Sequence, residues 1–177
     1  YEGNGLVYFL GGRLADSGTD GSVWSFDPAT GGYADTGTDM AIPISNYSAN
    51  LVQDSTGWGL YTICGRPSAG GVITQTQVYY PDTNTAVALD LADGFPGSEP
   101  CTSAMNVVYN NKIYVAGGFD PAASPVNSDE TWIFDPMAAT GSKWSRIDTA
   151  TLTTARAYIM SAAVNDKIYA IGGNWFD

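Results

Sequence analysis

The stretch NKIYVAGG at residues 111–118 decides the fold, because related stretches occur three more times along the chain. They read GLVYFLGG at 5–12, GLYTICGR at 59–66 and DKIYAIGG at 166–173. In each copy a turn residue opens the stretch, an apolar run follows, and two small residues close it, with Cys64-Gly65 in place of paired glycines in the second copy. A short run of β-branched and aromatic residues between turn signals predicts a buried β-strand.

The spacing of the copies predicts a repeat architecture. The closing pairs begin at positions 11, 64, 117 and 172, so the copies lie 53, 53 and 55 residues apart. A second marker has the same period, because Phe26, Tyr80 and Phe134, in VWSFDP, QVYYPD and TWIFDP, lie 54 residues apart. Two markers in phase at about fifty residues indicate a repeat protein. Four strands fit into each period, and thirteen strands are expected over the chain.

Composition limits the possible functions. Of the 177 residues 44% are apolar, which predicts a folded domain with a core rather than a disordered chain. The 18 acidic and 7 basic residues give a formal charge of −11, which repels phosphate backbones and anionic membrane surfaces. We therefore expect no nucleic-acid partner. No apolar run approaches the roughly 18 residues of a membrane span, so we expect no membrane insertion either.

Four antiparallel strands per repeat of this length resemble the kelch family of β-propellers, in which a double glycine follows the second strand, an aromatic residue marks the third and a tryptophan the fourth. The resemblance implies an all-β, kelch-type β-propeller with four-stranded antiparallel blades. About three blade-equivalents are expected in one segment, 1–177, with pieces at about 1–38, 44–92, 101–149 and 155–177. The residues that carry the resemblance are Gly11-Gly12, Gly117-Gly118, Gly172-Gly173, Phe26, Tyr80, Phe134 and Trp144.

The chain departs from the family pattern at three kinds of position, one of which is the fourth-strand tryptophan, since Tyr33 and Val87 stand where Trp144 leads one to expect tryptophan. Cys64-Gly65 replaces one double glycine. The basic residue that often opens a kelch repeat is matched by Arg156, with which Asn46 and Cys101 align in the other copies. Blades with these departures are expected to be less regular.

The repeated aromatic residues have a structural explanation. Radial sheets pack face to face, so the inner strands need apolar residues on both faces, and large rings fill the widening space between blades. The aromatic residues expected in this inter-blade core are Tyr8, Tyr61, Tyr114, Tyr169, Trp24 and Trp132.

One face of the predicted propeller carries the long loops. Successive strands alternate in direction, so the connections between second and third strands, at 13–22, 65–75 and 119–129, share a face with the connections between blades. The other face receives tight turns. Because loops on a rigid scaffold commonly carry binding residues, we expect partners to engage the long-looped face. The candidate binding residues are Arg13, Arg66, Phe95, Phe119, Asp120 and Trp175.

The residue types argue against catalysis. The chain has no histidine, so neither a Ser-His-Asp triad nor an imidazole-bound metal can be assembled from it. Copper-radical oxidases similar to galactose oxidase use histidine ligands that have no match here. Sialidases use a related propeller with an arginine cluster and a tyrosine nucleophile, and their Asp-box turn has no clear counterpart. We expect no catalytic residues, no enzyme activity and no cofactor.

A metal site is likewise not expected. Asp16, Asp20 and Asp27 partly imitate the spacing of a calcium loop, but Gly18 stands where an oxygen ligand would be needed. Asp27 also suits a turn that closes the third strand. The preferred interpretation is a solvated polar loop.

The two cysteines bear on where the protein acts. Cys64 ends a second strand and Cys101 precedes the next blade's first strand, so the two lie on one face in neighbouring blades. A disulfide is predicted, the alternative being that each is a small buried apolar residue. A disulfide, a lysine-poor acidic composition and a sequon that makes Asn46 a predicted glycosylation site together indicate a secreted, extracellular protein.

These features predict a non-catalytic extracellular binding or assembly module whose partner is a protein, a glycan or further copies of the chain. Two alternatives stay open. One is the non-catalytic part of a secreted carbohydrate-active enzyme, oxidase- or sialidase-like, with its catalytic residues elsewhere. The other is a self-assembling filament or ring. Three blade-equivalents do not close a ring, so a longer chain or another copy is expected to complete it, the latter by pairing 157–164 with 5–10 of the next copy.

Overall fold

The computed structural model describes residues 1–97 and 100–176, and in them the chain forms thirteen strands in four antiparallel sheets, as expected. Residues 98, 99 and 177 lie outside this description, the last of them at the end of the predicted piece 155–177. No helix among the described residues has the length and apolar character to cross a membrane. The fold is all β and has the blades of a partial propeller.

The first sheet has three strands, the next two have four, and the last has two, each in the order of the chain. The strands of the first sheet are β1 (Val7–Arg13), β2 (Thr19–Asp27) and β3 (Gly32–Asp39); the second sheet has β4 (Ala49–Gln53), β5 (Trp58–Thr62), β6 (Gln77–Tyr80) and β7 (Thr85–Ala88). The third has β8 (Met105–Tyr109), β9 (Lys112–Ala116), β10 (Thr131–Phe134) and β11 (Trp144–Arg146); the fourth has β12 (Met160–Val164) and β13 (Lys167–Ile171). A 3-10 turn, Leu91–Asp93, follows the second sheet.

The inner strands of the second, third and fourth sheets lie side by side, since β4 contacts β8 and β8 contacts β12. Polar side chains join them. Asn50 Nδ2 donates to Asn106 Oδ1 at 3.4 Å, and Ser161 Oγ donates to the carbonyl of Asn106 at 2.8 Å. These strands therefore surround a common axis, with the sheets radiating outwards as blades.

The core consists of three layers between successive sheets. Leu10, Val23, Met40 and Tyr79 fill the first layer. The second is the largest and brings Tyr61 of β5 within 5.6 Å of Phe134 of β10, measured between ring centroids. The third layer is built around Met105, Ala116 and Ile159. Because each layer takes side chains from two sheets, burial depends on a neighbouring blade being present.

Two of the aromatic residues expected in the inter-blade core are instead accessible. Trp24 is 41% exposed and Tyr169 is 45% exposed, so the expectation is wrong for both. They lie on the outward faces of the first and last sheets, which no other sheet of the described chain covers. The same periodicity therefore produces burial in the middle of the array and exposure at its two outer faces.

The polar loop expected at 13–22 is much shorter in the structure. β1 continues through Arg13, and β2 begins at Thr19, so only residues 14–18 connect them. The register shifts between Leu10 and Gly12, which is a β-bulge, and the ladder then resumes with Gly12 opposite Asp20. A bulge lets a strand continue past an extra residue, which explains why the glycine pair does not end the strand here.

The alignment of the third-strand aromatic residues is wrong by one position in the second blade. Phe134 lies opposite Ile113 of the second strand, and the residue in the same place in the second blade is Tyr79, opposite Leu60. Tyr80 therefore points to the other face of its sheet, because neighbouring side chains of a strand alternate.

Tyr80 contributes to a half-buried polar cluster at the turn between β4 and β5. The carboxylate of Asp54 accepts hydrogen bonds from Tyr61 Oη at 2.5 Å and Tyr80 Oη at 2.6 Å, and from the backbone N–H groups of Thr56 and Gly57. Burial raises the pKa of Asp54, but these hydrogen bonds to the charged form outweigh it and hold the pKa below its ordinary value of 3.8.

We expect Asp54 to contribute to acid unfolding. Its carboxylate is stabilised by folding, so the contribution is present above the ordinary pKa and is lost as the pH falls through the lower folded value. Asp54→Asn should lower the free energy of unfolding by about 1.5–3 kcal/mol at pH 7 and should lose less stability than the native chain between pH 4 and pH 2. Urea denaturation at several pH values measures this.

Glu2→Gln makes the same change of charge at an exposed side chain and serves as the control. Parallel pH profiles for the native chain and Asp54→Asn would contradict the assignment.

Candidate functional site

The pairs of small residues that close the four repeated stretches create equivalent positions on the long-looped face. These pairs are Gly11-Gly12, Cys64-Gly65, Gly117-Gly118 and Gly172-Gly173. The first residue of each pair has a φ of +53°, +54°, +73° or +66°, in chain order, and Cys64 adopts this left-handed conformation in place of a glycine. The residue that follows each pair is thereby placed on the same face of its blade. These four residues are Arg13, Arg66, Phe119 and Asn174.

Three residues just before the inner strands form a second set around the axis. Asn46, Ser103 and Tyr158 have φ values of +59°, +54° and +55°. The N–H of Ser103 donates to the carbonyl of Asn46 at 3.0 Å, and the N–H of Tyr158 donates to the carbonyl of Ser103 at 2.8 Å. The blades are thus hydrogen-bonded to one another in sequence around the mouth of the axis.

This set corrects one alignment made from the sequence. Asn46 corresponds to Ser103 and Tyr158, not to Cys101 and Arg156, because the backbone hydrogen bonds link the former three. The residue of the second blade that corresponds to Arg156 is therefore Ile44, two positions earlier. A buried apolar side chain stands there in place of the basic residue.

A cavity of 790 Å³ lies where the two sets meet. Two of the predicted binding residues, Arg13 and Arg66, line it from neighbouring blades. The wall is completed mainly by Asn46, Tyr47 and Tyr158 from the segments that precede inner strands, and by Phe9 of β1.

The arginines of the cavity differ from the other two in the chain. Arg146 pairs with Glu130 at 2.8 Å and Asp148 at 3.0 Å, and Arg156 donates to backbone carbonyls. Among the described residues no carboxylate or carbonyl accepts from the guanidinium groups of Arg13 or Arg66. The protein as a whole has a formal charge of −11, so this cavity, with two arginines that have no described acceptor, is a local region of positive charge.

Tyrosine hydroxyls add neutral hydrogen-bonding groups to the cavity. Burial, followed by the nearby charge of Asp20, raises the pKa of Tyr47 to about 12, so its hydroxyl keeps its proton at physiological pH. The carboxylate of Asp20 is engaged by Ser22, whose hydroxyl donates at 2.6 Å and whose N–H donates at 3.0 Å. Tyr158 is 47% exposed and presents its ring to the cavity.

Phe119 and Asp120 lie beside this site rather than in it. The ring centroid of Phe119 lies 4.5 Å from that of Phe176 and 6.4 Å from that of Tyr158. Phe119 therefore packs beside the tyrosine that lines the cavity. Asp120 accepts from the N–H of Ala122 in its own loop. Trp175 is 60% exposed and lines a separate cavity of 340 Å³.

Phe95, a candidate for the exposed face, is instead part of the core. It is 6% exposed, and its ring lies 5.6 Å from Trp132 and 5.2 Å from Trp144. Its loop folds back, with the N–H of Phe95 donating to Thr74, and the ring fills the outer space between the second and third blades. Position in a long loop does not predict exposure here, because the widening space between blades requires a large apolar group.

The predicted disulfide is confirmed. Cys64 and Cys101 are bonded, with 6.0 Å between their Cα atoms, and both side chains are buried. The bond joins the end of the second strand of one blade to the segment before the inner strand of the next. It fixes the two blades together two residues before Arg66 in the chain.

The Asn46 glycosylation stays a prediction. Its side chain is half-buried in the cavity wall, with Nδ2 3.5 Å from Ser103 Oγ.

The aspartates of the calcium-like sequence are used locally. Asp16 accepts from the N–H of Gly18 at 2.9 Å, and Asp27 accepts from Ala29 and Thr30 in the turn after β2, as the turn interpretation predicted. No group of three or more histidine, cysteine or acidic residues in the described parts of the chain is arranged to hold a metal ion.

Sequence reasoning did not identify Tyr47 and Tyr158 as site residues. A signal was available, because both lie in the short segments that lead into first strands, and those segments recur with the period of the repeat. The periodicity suggested only structural roles for tyrosine.

Comparison with known proteins agrees with this architecture. Residues 100–149 match the Kelch motif, which confirms a kelch repeat over the predicted third blade. The solved structure of YjhT has the same fold, with a TM-score of 0.74 over 96% of this chain at 15% sequence identity. The chain spans 56% of the length of that structure's chain. No curated protein matches the sequence.

Proposed function

We propose that this kelch-type propeller segment is a non-catalytic, extracellular binding module that recognises an anionic group of a protein or glycan partner in the cavity of Arg13 and Arg66. The observation that carries the proposal is that Arg13 and Arg66, from neighbouring blades, both line one 790 Å³ cavity, and that neither guanidinium has an acceptor among the described residues. The disulfide between Cys64 and Cys101 supports action outside the cell, where such bonds persist.

The chemistry of the cavity favours a carboxylate or a similar anion. A guanidinium presents two parallel N–H donors that match a carboxylate, and such charge-assisted bonds are stronger than neutral ones. The hydroxyls of Tyr47 and Tyr158 add neutral donors and acceptors, and Phe9 adds an apolar surface. Because the rest of the protein is strongly acidic, an anionic ligand is held only where these arginines outweigh the general repulsion.

We expect Arg66→Ala to weaken binding of an acidic ligand by about 10- to 100-fold, since a hydrogen bond to a charged group contributes about 1.5–3 kcal/mol. Oligogalacturonate and a glutamate-rich peptide are suitable probes, measured by calorimetry against a neutral oligosaccharide and a glutamine-rich peptide. Arg13→Ala combined with Arg66→Ala should abolish binding. The free energy of unfolding should change by no more than about 0.5 kcal/mol, because both side chains lie on the loop face without partners among the described residues.

Two controls make this result specific. Arg66→Lys keeps the charge but not the paired donors, and it should give an intermediate affinity. Met137→Ala removes an exposed side chain from a turn on the opposite face and should leave the affinity unchanged. Equal binding of the acidic and neutral probes, or unaltered binding by the double arginine variant, would contradict the proposal.

The sialidase-like alternative is the second candidate function, because Arg13, Arg66, Tyr47 and Tyr158 line one cavity and sialidases use arginines and a tyrosine. The likeness to YjhT at 15% identity concerns the fold alone. If the module is non-catalytic, it should bind the oligogalacturonate probe and leave it uncleaved.

A further inference from the structure

Two cavities share a wall at the mouth of the axis. Beside the cavity of Arg13 and Arg66, the arginine cavity, lies a second one of 290 Å³, the axial cavity. Segments from three successive blades line the axial cavity, at 46–48, 103–104 and 158–160. Asn46, Tyr47 and Tyr158 line both cavities, so a ligand bound in the arginine cavity lies next to the axial cavity.

The axial cavity is suited to an apolar group. Ala104, Ile159 and Met160 line it together with the two shared tyrosines, and none of the described residues in its wall is charged. A cavity of about 150 Å³ can hold a benzene ring, so this one has room for a large apolar side chain. Apolar surface that is removed from water there contributes to binding roughly in proportion to its area.

Tyr158 is held in a fixed place between the two cavities. Its φ of +55° is unusual for a bulky residue, whereas Asn46, with +59°, is of a type that adopts this conformation more readily. The N–H of Tyr158 donates to the carbonyl of Ser103 at 2.8 Å, and its ring centroid lies 5.7 Å from that of Phe176. Such backbone conformations persist only where the surrounding contacts enforce them, and they cluster at ligand sites.

The two cavities together require a ligand that has an anion and an apolar group close to each other. In the C-terminal residue of a peptide, the carboxylate and the side chain are attached to the same Cα. An acidic residue inside an extended segment instead points to the face opposite to the side chains of its neighbours. The C-terminal carboxyl has an ordinary pKa of about 3.3–3.7, so it is ionised at neutral pH. A terminal carboxylate is also among the groups that peptide-binding sites recognise.

The charge of the protein favours the same ligand. With a formal charge of −11, the protein repels a ligand more strongly the more negative charge the ligand carries. A neutral peptide with a free C-terminus brings a single negative charge, and that charge is the one placed beside Arg13 and Arg66. A polyanion brings further charges that lie outside the arginine cavity.

We propose that the arginine cavity and the axial cavity together bind the free C-terminus of a protein or peptide whose last residue has a large apolar side chain. The terminal carboxylate accepts hydrogen bonds from Arg13 and Arg66, and the last side chain enters the axial cavity against Ile159 and Met160. This proposal rests on the function proposed above and names its ligand.

Calorimetry with a matched set of peptides tests it. The probe is acetylated Gly-Ser-Gly-Ser-Phe with a free C-terminus, added to the native protein, and we expect saturable binding. Amidation of the C-terminus should weaken binding at least tenfold, because charge-assisted hydrogen bonds are lost. Replacing the last residue of the peptide by glycine should also weaken binding at least tenfold, because the apolar contact is lost.

Two variants of the protein assign the two parts of the ligand to the two cavities. Arg66→Ala should reduce the preference for the acid over the amide to threefold or less. Ser48→Phe places a ring in the axial cavity and should remove the preference for phenylalanine over glycine at the end of the peptide. Each result is a ratio of two affinities for one variant, so a partial loss of folded protein does not change it. The peptide comparison on the native protein needs neither variant.

The outcomes separate this proposal from the function on which it rests. If the glutamate-rich peptide binds and depends on Arg66, but amidation or the glycine replacement weakens the C-terminal peptide less than twofold, the C-terminal proposal is wrong and the anion-binding function stands. If neither the glutamate-rich peptide nor the C-terminal peptide binds, both are wrong.

Discussion

Replacing Gly118 by alanine is expected to lower the free energy of unfolding by about 2–5 kcal/mol, from backbone strain together with overpacking. Gly118 has a φ of +143°, which side-chain-bearing residues rarely adopt. A Cβ at this position would overlap the backbone carbonyl of Pro100, which cannot move as a side chain can. Denaturation in urea measures the loss, and the close approach of two backbone segments is its cause.

Gly12 provides the matched control. It is the corresponding residue of the first blade, with a φ of +137°, but a Cβ added there would have no atom within 4 Å once the neighbouring residues of the chain are set aside. Gly12→Ala therefore carries the strain without the overlap and should cost about 1–3 kcal/mol. If both variants lose the same free energy of unfolding, backbone strain alone explains the need for glycine at these positions, and the overlap with Pro100 contributes nothing.

Removing the disulfide is expected to lower the free energy of unfolding by about 4 kcal/mol, the value that the loop-closure relation gives for a loop of this size. Cys64 and Cys101 are separated by 37 residues and join two blades. Without the bond the unfolded chain gains conformational freedom, and the junction between the second and third blades loses its covalent tie. Denaturation with and without a reductant measures the difference.

The variant with Cys64→Ala and Cys101→Ala separates the bond from the reductant. It should show the lowered stability in both buffers, with no further loss on reduction. A native chain whose stability is unchanged by reduction, with both thiols titrated, would contradict a stabilising role for the bond.

Much of the fold follows from short-range properties of the sequence. Turn residues that alternate with apolar runs specify strands wherever they occur, so the count of thirteen strands and the place of β13 within the stretch 166–173 follow from the local sequence. The repeat period specifies that these strands form equivalent blades. The positions of Cys64 and Cys101 at the ends of neighbouring blades then bring two thiols together, as the confirmed bond shows.

The orientation of individual side chains was less predictable. A strand has a side-chain period of two, so an alignment error of one residue moves a side chain to the other face. This is why Tyr79, rather than Tyr80, corresponds to Phe134. The register is set by hydrogen bonds between strands, which the spacing of aromatic residues does not reveal.

The tertiary structure alone decided which loop residues form the site. The sequence placed Arg13, Arg66 and Phe95 on one face by topology, but a loop can turn towards solvent or towards the core. Phe95 is buried because it packs between two blades. Arg13 and Arg66 each follow a pair of residues with positive φ, and both line the same cavity. Burial and convergence depend on contacts between residues far apart in the chain, so they exist only once neighbouring blades have packed together.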